Sequence, residues 1–89
     1  MFNLQWVVRF IDKMTQEEFT HKVSEIRTKA VSIAERFGYS TDDAEDIAQD
    51  VMLKLWSLRR QFTDATHLNA SAIITTKHTC IDRWRTTHR

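Results

Sequence analysis

An all-α fold, a bundle of three to four helices, is what the sequence predicts, and three observations predict it. The chain of 89 residues holds no proline and a single glycine, so the residues that hairpin turns require are almost absent. Helix formers such as Ala, Leu, Lys, Glu and Gln are spread along the whole chain, and apolar residues recur at three- and four-residue intervals. The length suits one domain with an economical core, so residues 1–89 are expected to form a single unit.

The elements follow in order. Leu4 to Lys13 can make a short helix whose Phe2, Trp6 and Phe10 share one face. The apolar run from Phe2 to Ile11 is too short to span a membrane, is broken by Gln5 and Arg9, and lacks a small-residue cleavage site. Thr15-Gln16-Glu17-Glu18 is a capping box, after which Phe19, Val23, Ile26, Ala30, Ile33, Ala34 and Phe37 fall at helical spacing. Gly38 stands where a helix C′ residue belongs. Ser40 or Thr41 can cap the next helix, which is expected to run to about Arg60. A polar break from Gln61 to His67 leads to a last helix from about Leu68 to Arg85 or beyond.

The second of these long helices carries the strongest functional signal. "DDAEDIAQDVMLKLW", residues 42–56, gathers five carboxylates into its first nine positions. Ala44, Ile47, Ala48, Val51, Leu55 and Leu58 form its core stripe at 100° per residue. Asp46, Gln49, Asp50 and Leu53, at i, i+3, i+4 and i+7, form a stripe facing away from that core. The helix dipole accounts for Asp42, Asp43 and Glu45, but its effect fades before Asp50, and Leu53 has no solvation rationale there. The stripe therefore reads as a partner surface, the alternative being a solvated face with one exposed leucine.

The last helix is two-faced as well. Ile73, Ile74, Cys80, Ile81 and Trp84 are expected on its core side, interrupted by Lys77. Opposite run Ser71, Thr75, His78, Thr79, Asp82 and Thr86, flanked by Arg83, Arg85 and Arg89. Hydroxyls and an imidazole among arginines suit phosphates and base edges. The alternative is a solvated face on which Asp82 pairs with Arg85.

The net charge of +1 conceals a division. Residues 1–53 hold six Lys/Arg against ten Asp/Glu, whereas residues 54–89 hold seven against two. An acidic half and a basic half suggest two partners of opposite charge. The single cysteine, Cys80, excludes an intramolecular disulfide and suits a reducing cytosol, so a cytoplasmic location is expected. Cys80 reads as a small buried apolar residue, and Trp6, Trp56 and Trp84 as core aromatics.

At this point a family resemblance enters. "DDAEDIAQDVMLKLW" resembles the core-binding helix in region 2 of bacterial RNA polymerase sigma factors, closest to the extracytoplasmic-function group of the sigma-70 family. "TCIDRWR" resembles the end of that family's promoter-reading helix, and "VVRFIDKMTQEEF" is a looser counterpart of its short first helix. The resemblance implies that Asp46, Gln49 and Asp50 face the basic coiled coil on the clamp of core RNA polymerase, with Leu53 as the apolar contact. It implies that the last helix and the loop before it bind promoter DNA, on the non-template strand of the −10 element, with one base flipped into a protein pocket. The loop candidates are Gln61, Phe62, Thr63, Asp64, Ala65, Thr66 and His67. On the helix they are Ser71, Thr75, Lys77, His78, Thr79, Arg83 and Arg85, with His78 foremost.

Three positions depart from the family pattern: Ser71 replaces an aromatic, Ala72 a leucine and His78 an asparagine, which puts the promoter sequence read in a different light. Family members carry a second, helix-turn-helix domain for the −35 element, so the chain is expected to be a fragment of a longer protein, the alternative being a stand-alone region 2 with weak promoter affinity. An anti-sigma protein is a further partner that the family admits. No cofactor and no enzymatic activity are expected. The rival readings are a protein–protein module without a DNA role and an all-α, Mg²⁺-dependent nucleotide pyrophosphohydrolase. The latter needs carboxylates converging from a second helix, and Glu17, Glu18, Glu25 and Glu35 offer no matching pair. A zinc site from His67, His78, Cys80 and His88 is weaker, because His78 and Cys80 point about 160° apart on a helix.

Overall fold

The computed structural model describes residues 16–87. Within them lie three α-helices, α1 at Gln16–Arg36, α2 at Thr41–Ser57 and α3 at Ala65–Thr87, with a 3-10 turn at Arg59–Gln61 and no strand. The expected all-α bundle forms, and each helix packs against the other two. The short helix read at Leu4 to Lys13, the cap at Thr15, and His88 and Arg89 lie outside the described residues.

Gly38 ends α1 as the spacing predicts. Its φ of 101° is left-handed, its N–H donates to the Glu35 carbonyl at 2.9 Å, and the Tyr39 N–H donates to the Ala34 carbonyl at 3.2 Å. That pair of bonds is a Schellman motif, which satisfies carbonyls the helix would otherwise leave open. Of the two candidate caps for α2, Ser40 is the one used, its Oγ accepting from the Asp43 N–H at 3.2 Å. Between them Tyr39 donates its O–H to the Cys80 carbonyl at 2.7 Å, which ties the α1–α2 turn to α3.

Two boundaries differ from expectation. α2 stops at Ser57 rather than near Arg60, and the chain tightens into the 3-10 turn. Side chains compete for the last carbonyls: Ser57 Oγ donates to Lys54 O at 2.7 Å, and Arg59 Nη1 donates to Trp56 O at 3.0 Å. The Arg59 guanidinium also lies 4.1 Å from the centre of the Trp56 ring, a cation–π contact that holds the turn. α3 begins at Ala65, three residues before the expected Leu68. Asp64 is its cap, with Oδ1 accepting from the His67 N–H at 2.9 Å, while His67 Nδ1 accepts from the Thr63 N–H at 3.1 Å. Histidine stands here where a capping box has Glu or Gln, but its ring reaches the N–H of Thr63, the residue before the cap, rather than that of the cap itself.

The core stripes of α1 and α2 follow the apolar periodicity. Phe19, Ile26, Ala30, Ile33 and Ala34 of α1 meet Ala44, Ile47, Ala48, Val51 and Leu55 of α2, all buried. The alanines keep the helices close, and burial at this scale is worth about 1.5–3 kcal/mol for each large aliphatic side chain. Trp56 is half-buried and meets the Phe19 ring edge-on at 5.3 Å. Phe37 and Leu58, at the far ends of their stripes, stay exposed.

α3 corrects the expectation. Its buried face is Leu68, Ala72, Thr76, Thr79 and Cys80, whereas Ile74 and Trp84 are more than half exposed. The threonines can be buried because their hydroxyls find acceptors on their own helix: Thr76 Oγ1 donates to Ala72 O at 2.7 Å, and Thr79 Oγ1 to Thr75 O at 2.8 Å. Two threonines thus occupy the stripe where apolar side chains were expected, and the isoleucines are turned toward the flank and the outside.

Candidate functional site

The acidic stripe sits on a ridge of α2 between the two neighbouring helices. Gln49 and Leu53 point outward, with Leu53 63% exposed, as its position in the stripe predicts. On the α1 side, Arg27 donates to Glu45. Beside this pair, a recess of about 590 Å³ is lined by Val23, Met52, Gln49, Arg27 and the acids Asp42, Glu45 and Asp46. On the α3 side, Arg83 Nη1 donates to Asp46 Oδ2 at 2.9 Å, and Nη2 donates to Asp50 Oδ2. One guanidinium therefore spans both acids, one helical turn apart. Burial pulls Arg83 down, but its bonds to Asp46 and Asp50 and their charges outweigh this and hold it above the ordinary arginine value.

This clip changes two readings. Asp46 and Asp50 are exposed and half-buried respectively, but they already hold a cation, so a basic partner must compete with Arg83. Arg83, expected to neutralise phosphate, is turned into α2 instead, because it continues the buried stripe of α3 one turn past Thr79 and Cys80. Two guanidiniums against five carboxylates still leave the N-terminal half of α2 acidic. The spacing within α2 shows the stripe; the clip joins residues more than thirty positions apart, for which no periodicity gives a signal.

The second set of candidate residues divides. His78 and Arg85 are exposed on α3, and Ser71 and Thr75 are half-buried at its edge. Thr79 is a correction: it is 5% exposed, donates to Thr75 and accepts from Lys54 Nζ at 3.3 Å, so its hydroxyl is committed inside the bundle. Phe62 is a second correction, buried in the core with its ring edge-on to His67 at 5.4 Å, where it anchors the loop. Asp64 and His67 are engaged in the cap of α3, while Gln61, Thr63 and Thr66 have exposed side chains and Ala65 is half-buried. Lys77 lies on the flank of α3 facing α1, beside Lys29 and Arg36. The pairing of Asp82 with Arg85, which the alternative reading of this face required, is not among the ion pairs of the described residues.

Cys80 is buried, and burial pushes its thiol above the ordinary value despite the opposing charge of Arg83. Among the described residues no group of three or more His, Cys, Asp or Glu is placed to hold a metal ion, and no helix is long and apolar enough to cross a membrane.

No curated protein and no solved structure matched the chain. The Sigma-70 region 2 family model matches residues 23–89, which takes in most of α1 and the whole of α2, the loop and α3. The chain, with its acid-rich α2 set against a basic α3, belongs to the Sigma-70 region 2 family of transcription initiation factors.

Proposed function

We propose that this domain binds core RNA polymerase through the outward ridge of α2 and promoter DNA through α3 and the loop before it. Members of the family generally bind both partners. The observation that carries the reading is Leu53: a leucine 63% exposed beside Gln49, on a ridge whose flanks are lined with carboxylates. An apolar tip within an acidic surface fits a basic coiled coil such as that of the polymerase clamp. The basic partner's cations would meet Asp46 and Asp50 in exchange for Arg83. On the DNA side, His78, Ser71, Thr75 and Arg85 form the base- and phosphate-facing row, with Gln61, Thr63 and Thr66 at the loop. The non-template strand of the −10 element is their target, and strand opening would supply the unstacked bases. The likeness of the acidic helix to the extracytoplasmic-function group supports assigning the chain to that group, with its work done in the cytoplasm.

The test is co-purification with core polymerase. Charge reversal at Asp46 or Asp50 would also break the clip to Arg83, so the cleaner variant is Leu53→Asp with Gln49→Ala. Both side chains are exposed, and the fold should tolerate their replacement within about 0.5 kcal/mol. The helical circular dichroism should persist while co-purification is lost. A folded variant that still co-purifies at the level of the parent chain would falsify the clamp assignment.

A further inference from the structure

We propose that the groove between α1 and α3 is a second protein-docking site, which takes an acidic amphipathic helix of a partner. It goes beyond the polymerase and promoter contacts, because it lies on a different flank of α3, about 120° round the helix axis from Arg83. The groove encloses about 500 Å³ and is lined by Lys29, Ile33, Arg36, Phe37, Ile73 and Lys77. Ile33 closes the floor, Ile73 is half-buried and Phe37 is exposed at the end of α1. Around that apolar floor stand three cations and no acid.

Charge decides the occupant. Among the described residues none of Lys29, Arg36 and Lys77 belongs to an ion pair, in contrast to Arg27 and Arg83. A basic rim on an apolar floor complements a helix with an apolar stripe between carboxylates. Lys29 and Arg36 are seven residues apart on α1, so they stand two turns, about 10.5 Å, apart along its axis. That spacing matches acids at i and i+7 on a helix lying alongside, with Lys77 facing them across the groove. Single-stranded nucleic acid fits less well, because bases stack on planar rings and two of the three floor side chains are branched aliphatics. Residues 1–15 of the chain carry Arg9 and Lys13 against Asp12, the wrong balance for this rim. A second copy would have to offer α2, where the groove must first displace Arg27 and Arg83 from Glu45, Asp46 and Asp50, a cost that a free acidic helix does not carry.

The experiment uses the whole chain and a labelled synthetic peptide of about four helical turns, with Leu at i, i+3, i+4 and i+7 between glutamates. Its controls are the same composition scrambled and a version with Lys for every Glu. Fluorescence anisotropy should show saturable, salt-sensitive binding of the acidic peptide alone. Lys29→Ala with Arg36→Ala should weaken it about tenfold, with unchanged circular dichroism, and should leave affinity for a −10 single strand within about threefold. Equal binding of either control peptide, or indifference to the double substitution, overturns the proposal. A parallel loss of oligonucleotide binding would assign the groove to nucleic acid. Sedimentation showing self-association that the double substitution abolishes would assign it to a second copy. A failed clamp assignment would leave all these readings untouched, since neither Lys29 nor Arg36 belongs to the α2 ridge or the α3 row.

Discussion

Arg83→Ala should act on stability and partner binding in opposite directions. The side chains concerned are partly open to solvent, with Arg83 32%, Asp50 46% and Asp46 63% exposed, so each pair deserves only the surface value. Two such pairs on one guanidinium contribute about 0.5–2 kcal/mol. Removing the cation also leaves Asp46 and Asp50 as like charges at i, i+4, a further cost of about 0.3 kcal/mol. The sum, about 1–2 kcal/mol, corresponds to a fall in Tm of roughly 5–10 °C for a domain of this size. Thermal melts followed by circular dichroism would measure it, at low salt and at about 1 M salt, where the screening length shrinks to about 3 Å and the loss should shrink with it. A double-mutant cycle with Asp50→Ala should return a coupling of about 0.5–1 kcal/mol. The freed carboxylates should meanwhile bind a basic coiled-coil peptide more tightly than the parent does. Loss of stability with no coupling to Asp50, or weaker binding of the basic peptide, would refute the idea that Arg83 competes with the partner for this face.

Ser40→Ala should cost about 1 kcal/mol in urea melts by removing the α2 cap, and Gly38→Ala a similar amount, through backbone strain alone since the space around it is open. Stability should decline above about pH 9: burial pushes Cys80 above its ordinary 9.0 and Tyr39 above its ordinary 10.0, so both lose their protons more readily unfolded than folded. Tyr39→Phe should flatten the upper part of that decline and cost about 1 kcal/mol at neutral pH, as the Cys80 carbonyl loses its donor. A thiol reagent should modify Cys80 slowly in the native chain and rapidly in denaturant; fast native labelling would contradict its burial.

Legibility varied with the kind of signal. α1 and α2 were readable to nearly all their core residues because a single apolar stripe recurs along each, with Gly38 marking the end of α1 and the choice between Ser40 and Thr41 bounding the start of α2. α3 was readable as a helix but not in its orientation. Isoleucines and threonines compete for its buried stripe, and threonine prevails where its hydroxyl can bond one turn back, a contact no hydropathy pattern registers. The exposed half of the site, Gln49 with Leu53, followed from spacing alone. Its clipped half did not, because Arg83 reaches Asp46 and Asp50 only after the chain has turned back through Phe62 and the Asp64 cap. Histidine in the first turn, its ring accepting from the Thr63 N–H where Glu or Gln is the usual signal, hid the start of α3 in the same way.

The far end of α3 is a cantilever. Past Cys80, Asp82, Trp84, Arg85, Thr86 and Thr87 are all exposed, so about 10 Å of helix projects beyond the packed interior. Its own stiffness comes from the helical ladder, which the Thr86 and Thr87 hydroxyls reinforce at the Asp82 and Arg83 carbonyls, 3.0 and 2.9 Å away. Among the described residues, the ion pairs that brace this end against α2 are those of the Arg83 guanidinium. A tilt of about 10° at the root swings the tip by nearly 2 Å, roughly the difference between a hydrogen bond and none. A partner that took the α2 carboxylates from Arg83 would loosen that brace, and a shift of Trp84 and Arg85 on binding would be its sign.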